Sequence, residues 1–166
     1  MRSTEEKILT KEAMIDVREK MRRSGMTLSF TNGCFDILHL GHVTYLEFAK
    51  AQADYLCVGL NSDASVRRNK GPLRPVNSEY ERARLLAALE CVDYVVLFGE
   101  DEPRLLIESI IPDVLVKGED WAHYVSGRDV VESHGGKVVL AKLEKGKSTT
   151  GTIERIMAVY SGKEQQ

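Results

Sequence analysis

Apolar residues along this chain alternate between a helical and a strand period. Over 10–23, Met14, Val17 and Met21 recur at helical spacing behind Thr10, a residue suited to an N-cap, and Gly25 closes the run. Short apolar runs at 26–31, 55–60 (YLCVGL), 93–98 (DYVVLF), 113–117 (DVLVK) and 137–141 (KVVLA) have the length and composition of strands. Helical patterns lie between them. Val43, Leu46 and Ala49 share one face of 41–50, and Ser78 and Glu81 have capping-box spacing ahead of Leu85, Leu86 and Leu89. Pro103 stands where a first helical turn should begin, and there its missing N–H costs nothing. Another helix is expected over 128–134, and Ile153, Ile156, Met157 and Tyr160 mark a closing one. The polar stretch 61–77 predicts a short helix followed by a Gly/Pro-punctuated loop, RRNKGPLRP.

Strands that are apolar on both faces and alternate with helices imply a parallel sheet covered on both sides. Right-handed crossovers then restrict the topology to a doubly wound arrangement. The expectation is one α/β domain over 1–166, with a first helix at about 10–23 and a core at about 26–160. Its sheet is expected to be Rossmann-like and five-stranded, with helices on both faces.

Composition narrows the partners. At 166 residues the chain can bury a core without disulfides or structural metal. Its 23 Lys and Arg against 25 Asp and Glu leave a net charge of −2, so no basic field recruits nucleic acid or an anionic membrane. The apolar runs are too short to span a bilayer. Cys34, Cys57 and Cys91 are odd in number, widely spaced and outside any CxxC pattern, which argues against a disulfide framework or a zinc site. The charged opening MRSTEEKILTKEA has no apolar signal core, so the expected compartment is the cytoplasm.

In doubly wound sheets the ligand crevice lies beyond the carboxyl ends of the strands. Four polar loops follow the expected strands. They contain Asn32, Gly33, Cys34 and Phe35 through to His42; Asn61 to Asp63; Lys117 to Trp121; and Gly146 to Thr150. Converging on one rim, they read as a phosphate site. His39 and His42 flank Gly41 at a strand-to-helix turn, where unpaired N–H groups and the helix dipole attract an anion. Two imidazoles there can stabilise charge on a phosphoryl group; metal binding or helix capping is the plainer reading. Gly33 would let a nucleotide lie against the strand end, or is an ordinary turn glycine. Cys34 and Phe35 read as packing residues, and Asp36 as a residue that orients the loop after it. Arg67, Arg68, Lys70 and Arg74 are a solvated charged run or, beside a phosphate rim, a clamp led by Lys70. Ser148, Thr149 and Thr150 can cap the last helix, bind phosphate, or both. Trp121 reads as core or as a surface for a polyhydroxylated substrate.

GCFDILHLGH with the later KSTT resembles the HxGH nucleotidyltransferase superfamily of cytidylyltransferase-like proteins. Together with VGLNSDASVRRNKGPLRPVN, ERARLLAALECVDYVV, PDVLVKGED and STTGTIERI, it is similar to the adenylyltransferase domain of ADP-heptose synthase, read here as standing alone. The resemblance covers about 27–156. It implies a Rossmann-like fold and transfer of AMP from ATP to D-glycero-β-D-manno-heptose 1-phosphate, by in-line attack on the α-phosphorus and without a covalent enzyme intermediate. It further implies that His39 and His42 contact the triphosphate, with His42 nearer the transition-state charge. Lys70, Ser148, Thr149 and Thr150 would hold phosphates bridged by Mg²⁺, with no metal ligand assigned to the protein. The turn at Asn32, Gly33, Cys34, Phe35 and Gly41, with Lys117 and Gly118, would hold the nucleotide. Asp63, Glu119, Asp120 and Trp121 are assigned to the acceptor. Relatives also imply a homodimer acting in lipopolysaccharide core assembly.

Leu143 stands where the glycerol-3-phosphate cytidylyltransferases carry an arginine, which weighs against that substrate, and Lys147 replaces an aromatic common in the heptose group. Arg82 receives no role. Two other readings remain: a CTP-dependent enzyme for an alditol phosphate or phosphonate, and a nucleotide sensor without turnover.

Overall fold

The computed structural model describes residues 3–144 and 146–161. Thr10 caps the first helix, α1 (Lys11–Arg23), its hydroxyl accepting from the Ala13 amide at 3.2 Å. The Ser78/Glu81 capping box starts α4 (Glu79–Ala88), as the spacing predicts. Between them lie β2 (Leu28–Gly33), α2 (Leu40–Lys50), β3 (Tyr55–Asn61) and α3 (Asp63–Lys70). After α4 come β4 (Tyr94–Phe98), α5 (Arg104–Ile110), β5 (Val114–Gly118), α6 (Arg128–Ser133), β6 (Lys137–Ala141) and α7 (Thr149–Ser161).

The sheet has six strands rather than the expected five, because Ile8–Leu9 forms β1 and pairs with Val95 and Val96 of β4. Two residues carry no periodicity to detect; a ready edge makes them a strand. Lys7 secures the addition by donating to the carbonyls of Val92 and Leu89 at 2.8 and 3.3 Å. All pairings are parallel, in the order β1-β4-β3-β2-β5-β6. The chain winds outward from β2 through β3 to β4, then crosses to β5 and β6 on the other side. The direction of winding therefore reverses between β2 and β5, the place where such sheets open a crevice.

Alternate strand residues feed two cores. Leu56, Val58 and Leu60 face Leu46 and Ala49 of α2 and Leu86 of α4. Cys57 and Leu115 face Met14 and Met21 of α1 and Ile107 and Ile110 of α5. Burying each such side chain is worth about 1.5–3 kcal/mol, so helices close both faces. The chain's buried Arg18 ties α1 to the start of β5 by an Nη2–Asp113 contact of 2.7 Å. The 67–70 segment forms the last turn of α3 and not part of the loop that Gly71 and the prolines after it suggest; the helix ends at Gly71, at φ +95.

Candidate active site

The ends of β2, β3 and β5 open onto one cavity of about 760 Å³. His39 is the N-cap of α2, extended at φ −144 and ψ 170, and makes no side-chain capping bond. The first amides of α2 thus lack intrahelical partners at the mouth of the cavity. One turn on, the His42 ring stacks on that of His39, with centroids 3.8 Å apart and planes 19° apart. The buried Nδ1 atoms of both rings have no hydrogen-bond partner among the described residues. Burial, reinforced by Lys147, lowers the His39 pKa, and burial with the neighbouring imidazole pushes His42 down to about 4. At neutral pH both are uncharged rings, each able to donate one N–H.

The turn holding Ser148 meets this one directly. A Cβ on Gly41 would lie 3.2 Å from the Lys147 Cβ and 3.2 Å from the His39 ring, so glycine is what lets the two turns touch. Ser148 caps α7, its hydroxyl accepting from the Gly151 amide at 3.0 Å. Lys147, Ser148, Thr149 and Thr150 line the cavity together with both histidines. Two helix N-termini and two imidazoles therefore face the same space, an arrangement built for an anion.

Lys117 spans the reversal point. Its ammonium donates to Asn32 Oδ1 at 3.0 Å and lies 5.3 Å from the centroid of the Trp121 ring, while burial lowers its pKa. Lys70 ends α3 with its side chain exposed on the cavity wall. Asp36 is buried and accepts from the amides of Val76 and Asn77 and from Arg74 Nε, the last at 2.6 Å. Burial alone would raise the Asp36 carboxyl; the Asn77 and Val76 amides and Arg74 more than offset it and hold its pKa down. It thereby sets the 74–77 segment, some forty residues downstream, and not the loop that follows it in sequence.

A family model for cytidylyltransferase-like proteins matches residues 30–158. The chain belongs to the cytidylyltransferase-like family of nucleotidyltransferases. It is 57% identical over 155 residues to the bifunctional protein HldE of Syntrophotalea carbinolica, a match covering 93% of this chain and 32% of that protein. It thus spans about a third of the length of the curated relatives it matches. A lipopolysaccharide core biosynthesis protein from Thermoplasma volcanium is 30% identical, with a TM-score of 0.60 over 74% of this chain and 100% of that one. A pantoate-beta-alanine ligase from Francisella tularensis, 18% identical with a TM-score of 0.61, covers 96% of this chain and 79% of its own and shares the fold.

Within this family member the cavity gathers most of the residues expected from sequence. Asn32, Gly33, Cys34, Phe35, His39, Gly41, His42, Lys70, Lys117, Gly118, Asp120, Trp121 and Ser148 to Thr150 all line it. Asp63 and Glu119 are not among the lining residues. Asp63 Oδ1 instead receives Arg82 Nη2 at 2.8 Å, and Glu119 accepts from the Leu143 amide at 3.4 Å. Gly33 has a nearer reason than a nucleotide: a Cβ there would meet the Phe35 ring at 2.9 Å. Phe35, at φ +44, folds that ring back to lie 5.1 Å from the His42 ring centroid. Burial raises the Cys34 thiol, against a nucleophilic role. Trp121 is 47% exposed, which removes the core reading.

Arg82, left without a role by the sequence, is fully buried. It donates to the carbonyls of Asn77, Cys34 and Asn61 at 3.0, 2.7 and 2.9 Å as well as to Asp63. It thus joins α4 to the ends of β2 and β3 beneath the cavity. Asp101, Glu102, Tyr124 and Ser126 also line the cavity and were not anticipated. The signal existed for Asp101 and Glu102, since they follow β4 and the rule that strand-end loops carry the site applies to that loop too.

Proposed function

We propose that the chain transfers AMP from ATP to D-glycero-β-D-manno-heptose 1-phosphate, releasing pyrophosphate. The observation that carries this reading is the meeting of the His39/His42 turn with the Ser148–Thr150 turn around one cavity. The motif resemblance to ADP-heptose synthase, the 57% identity to a bifunctional HldE and the likeness to a lipopolysaccharide core biosynthesis protein support the acceptor. An oxygen of the sugar phosphate forms a bond to the α-phosphorus as the bond to the β-phosphate bridging oxygen breaks, and the electron pair leaves with pyrophosphate. Neutral His42 donates its N–H to the charge that builds on the α-phosphate, and His39 does so beside it. The amides opening α2 and α7 orient the triphosphate, and Lys70 and Lys117 balance its charge.

Nucleotidyltransferases of this family generally work with ATP and a divalent metal. Among the described residues no three His, Cys, Asp or Glu side chains group as a metal cage. A Mg²⁺ ion brought in with the triphosphate would neutralise phosphate charge there. Excess chelator is expected to abolish turnover, and added Mg²⁺ to restore it.

Pyrophosphate release from purified protein, with ATP or CTP and with heptose 1-phosphate or alditol phosphates, tests the assignment. Turnover is expected with ATP and heptose 1-phosphate; turnover confined to CTP and an alditol phosphate would replace it with the cytidylyl reading. His42→Ala should lower kcat by about 10²-fold or more, the loss typical of one preorganised donor. Free cysteines and the need for ATP support action in the cytoplasm. Pairing of two copies is supported by α7, which has no buried residue and exposes Ile156, Met157 and Val159. Sedimentation at twice the chain mass is the expected result.

A further inference from the structure

The donors His39, His42, Lys70 and Lys147 line the cavity together with two helix N-termini. Glu102, in the loop after β4, lines it too. Its Oε2 accepts from Tyr124 Oη at 2.8 Å and from Ser126 Oγ at 2.9 Å. Each hydroxyl has one proton, and both protons are committed to the carboxylate. What this cluster presents to the cavity is therefore only acceptors: Oε1 of Glu102 and the lone pairs of the two oxygens. Phosphate oxygens, which are acceptors and negatively charged, find no partner among these three side chains. Hydroxyl groups of a neutral polyol do.

The fold holds this wall in place. Val125, between Tyr124 and Ser126, is buried in the core, so its two neighbours turn outward. Gly127 packs so closely on α5 that a Cβ would lie 2.8 Å from Ile107 Cδ1. The neighbouring Asp101 also lines the cavity but is paired with Arg68 Nε at 2.7 Å, whereas Glu102 is held by two neutral hydroxyls. Trp121, on the same wall, offers an exposed aromatic surface, and rings beside carboxylates suit the apolar and hydroxylated sides of a sugar.

We propose that Glu102, oriented by Tyr124 and Ser126 and flanked by Trp121, binds the hydroxyl groups of the acceptor and so sets its specificity for a polyhydroxylated phosphate. This rests on the transfer reading above for the identity of the acceptor, and the experiment separates the two. Heptose 1-phosphate is titrated by calorimetry into the full chain holding a non-hydrolysable ATP analogue, for the wild type and for Glu102→Ala, Glu102→Gln and Tyr124→Phe. The expected result is a Kd for heptose 1-phosphate at least tenfold weaker in Glu102→Ala. Glu102→Gln, which keeps one oxygen acceptor, and Tyr124→Phe should fall between it and wild type. The Kd of the ATP analogue should stay within twofold throughout. A residue that merely latched the 119–127 loop would weaken both ligands together, and that outcome overturns the proposal. So does an unchanged acceptor Kd in Glu102→Ala, or no binding of heptose 1-phosphate to the wild type. Wild-type protein that binds the acceptor but releases no pyrophosphate refutes the transfer reading and leaves the subsite standing.

Discussion

His42 shows how one residue's surroundings set its chemistry. An unfolded imidazole takes up its proton near its ordinary 6.5, whereas the folded one does so only at about 4. Between these values the unfolded chain binds more protons, so stability rises with pH there. The contribution is complete above 6.5 and is lost as pH falls toward 4. Urea unfolding at pH 4.5 and 7 is expected to show this loss, with a smaller pH slope in His42→Asn. A triphosphate should act in the opposite sense, because its charge favours the protonated ring. Binding of ATP at pH 5.5 should therefore take up protons, measurable by calorimetry in buffers of different ionisation heat; no uptake would remove His42 from contact with the phosphates. The two histidines were legible as a pair from their spacing. Their burial and stacking, and hence the depth of this shift, were not, because they depend on ring orientations that the fold imposes.

Elements carry the site through their ends. Glycine at 41 is a poor helix former, and alanine in a helix is favoured over it by about 1 kcal/mol. Gly41→Ala is therefore expected to leave thermal stability equal or higher, while kcat/KM falls about tenfold because the added methyl pushes the Lys147 turn and the His39 ring apart. A drop in Tm with unchanged kcat/KM would contradict this account. The capping box of α4 and the Thr10 cap of α1 could be read from sequence because a cap is a local interaction within four residues. The last turn of α3 could not. Gly71 and the prolines after it advertise a loop, yet Val66 is fully buried and α3 is anchored by Ser62, whose hydroxyl accepts from the Ser65 amide at 3.3 Å. In the last turn itself Arg68 donates to Asp101 Oδ1 at 2.7 Å and to the Gly99 carbonyl, and these distant partners overrode the local signal.

At the scale of the whole molecule, Arg82 and Lys117 join parts of the chain that sequence keeps far apart. Arg82→Ala would strip three carbonyls and Asp63 of their donor beneath the cavity. A loss of roughly 3–5 kcal/mol is expected for a broken buried ionic network, checked by urea denaturation, with activity falling alongside as the β2 turn loosens. The two-residue β1 likewise exists only because β4 offers it an edge. The alternation of strands and helices, the parallel sheet and the rim where the chemistry sits are all readable in the order of residues. Hydrophobic period and strand-end motifs are local, and parallel strands buried on both faces admit few topologies. Tertiary structure alone decided which loop residues enter the cavity. Asp63 was drawn away to Arg82, Glu119 turned aside, and Glu102 came in with Tyr124 and Ser126, because hydrogen-bond partners nineteen or more residues apart become neighbours only once the sheet has closed.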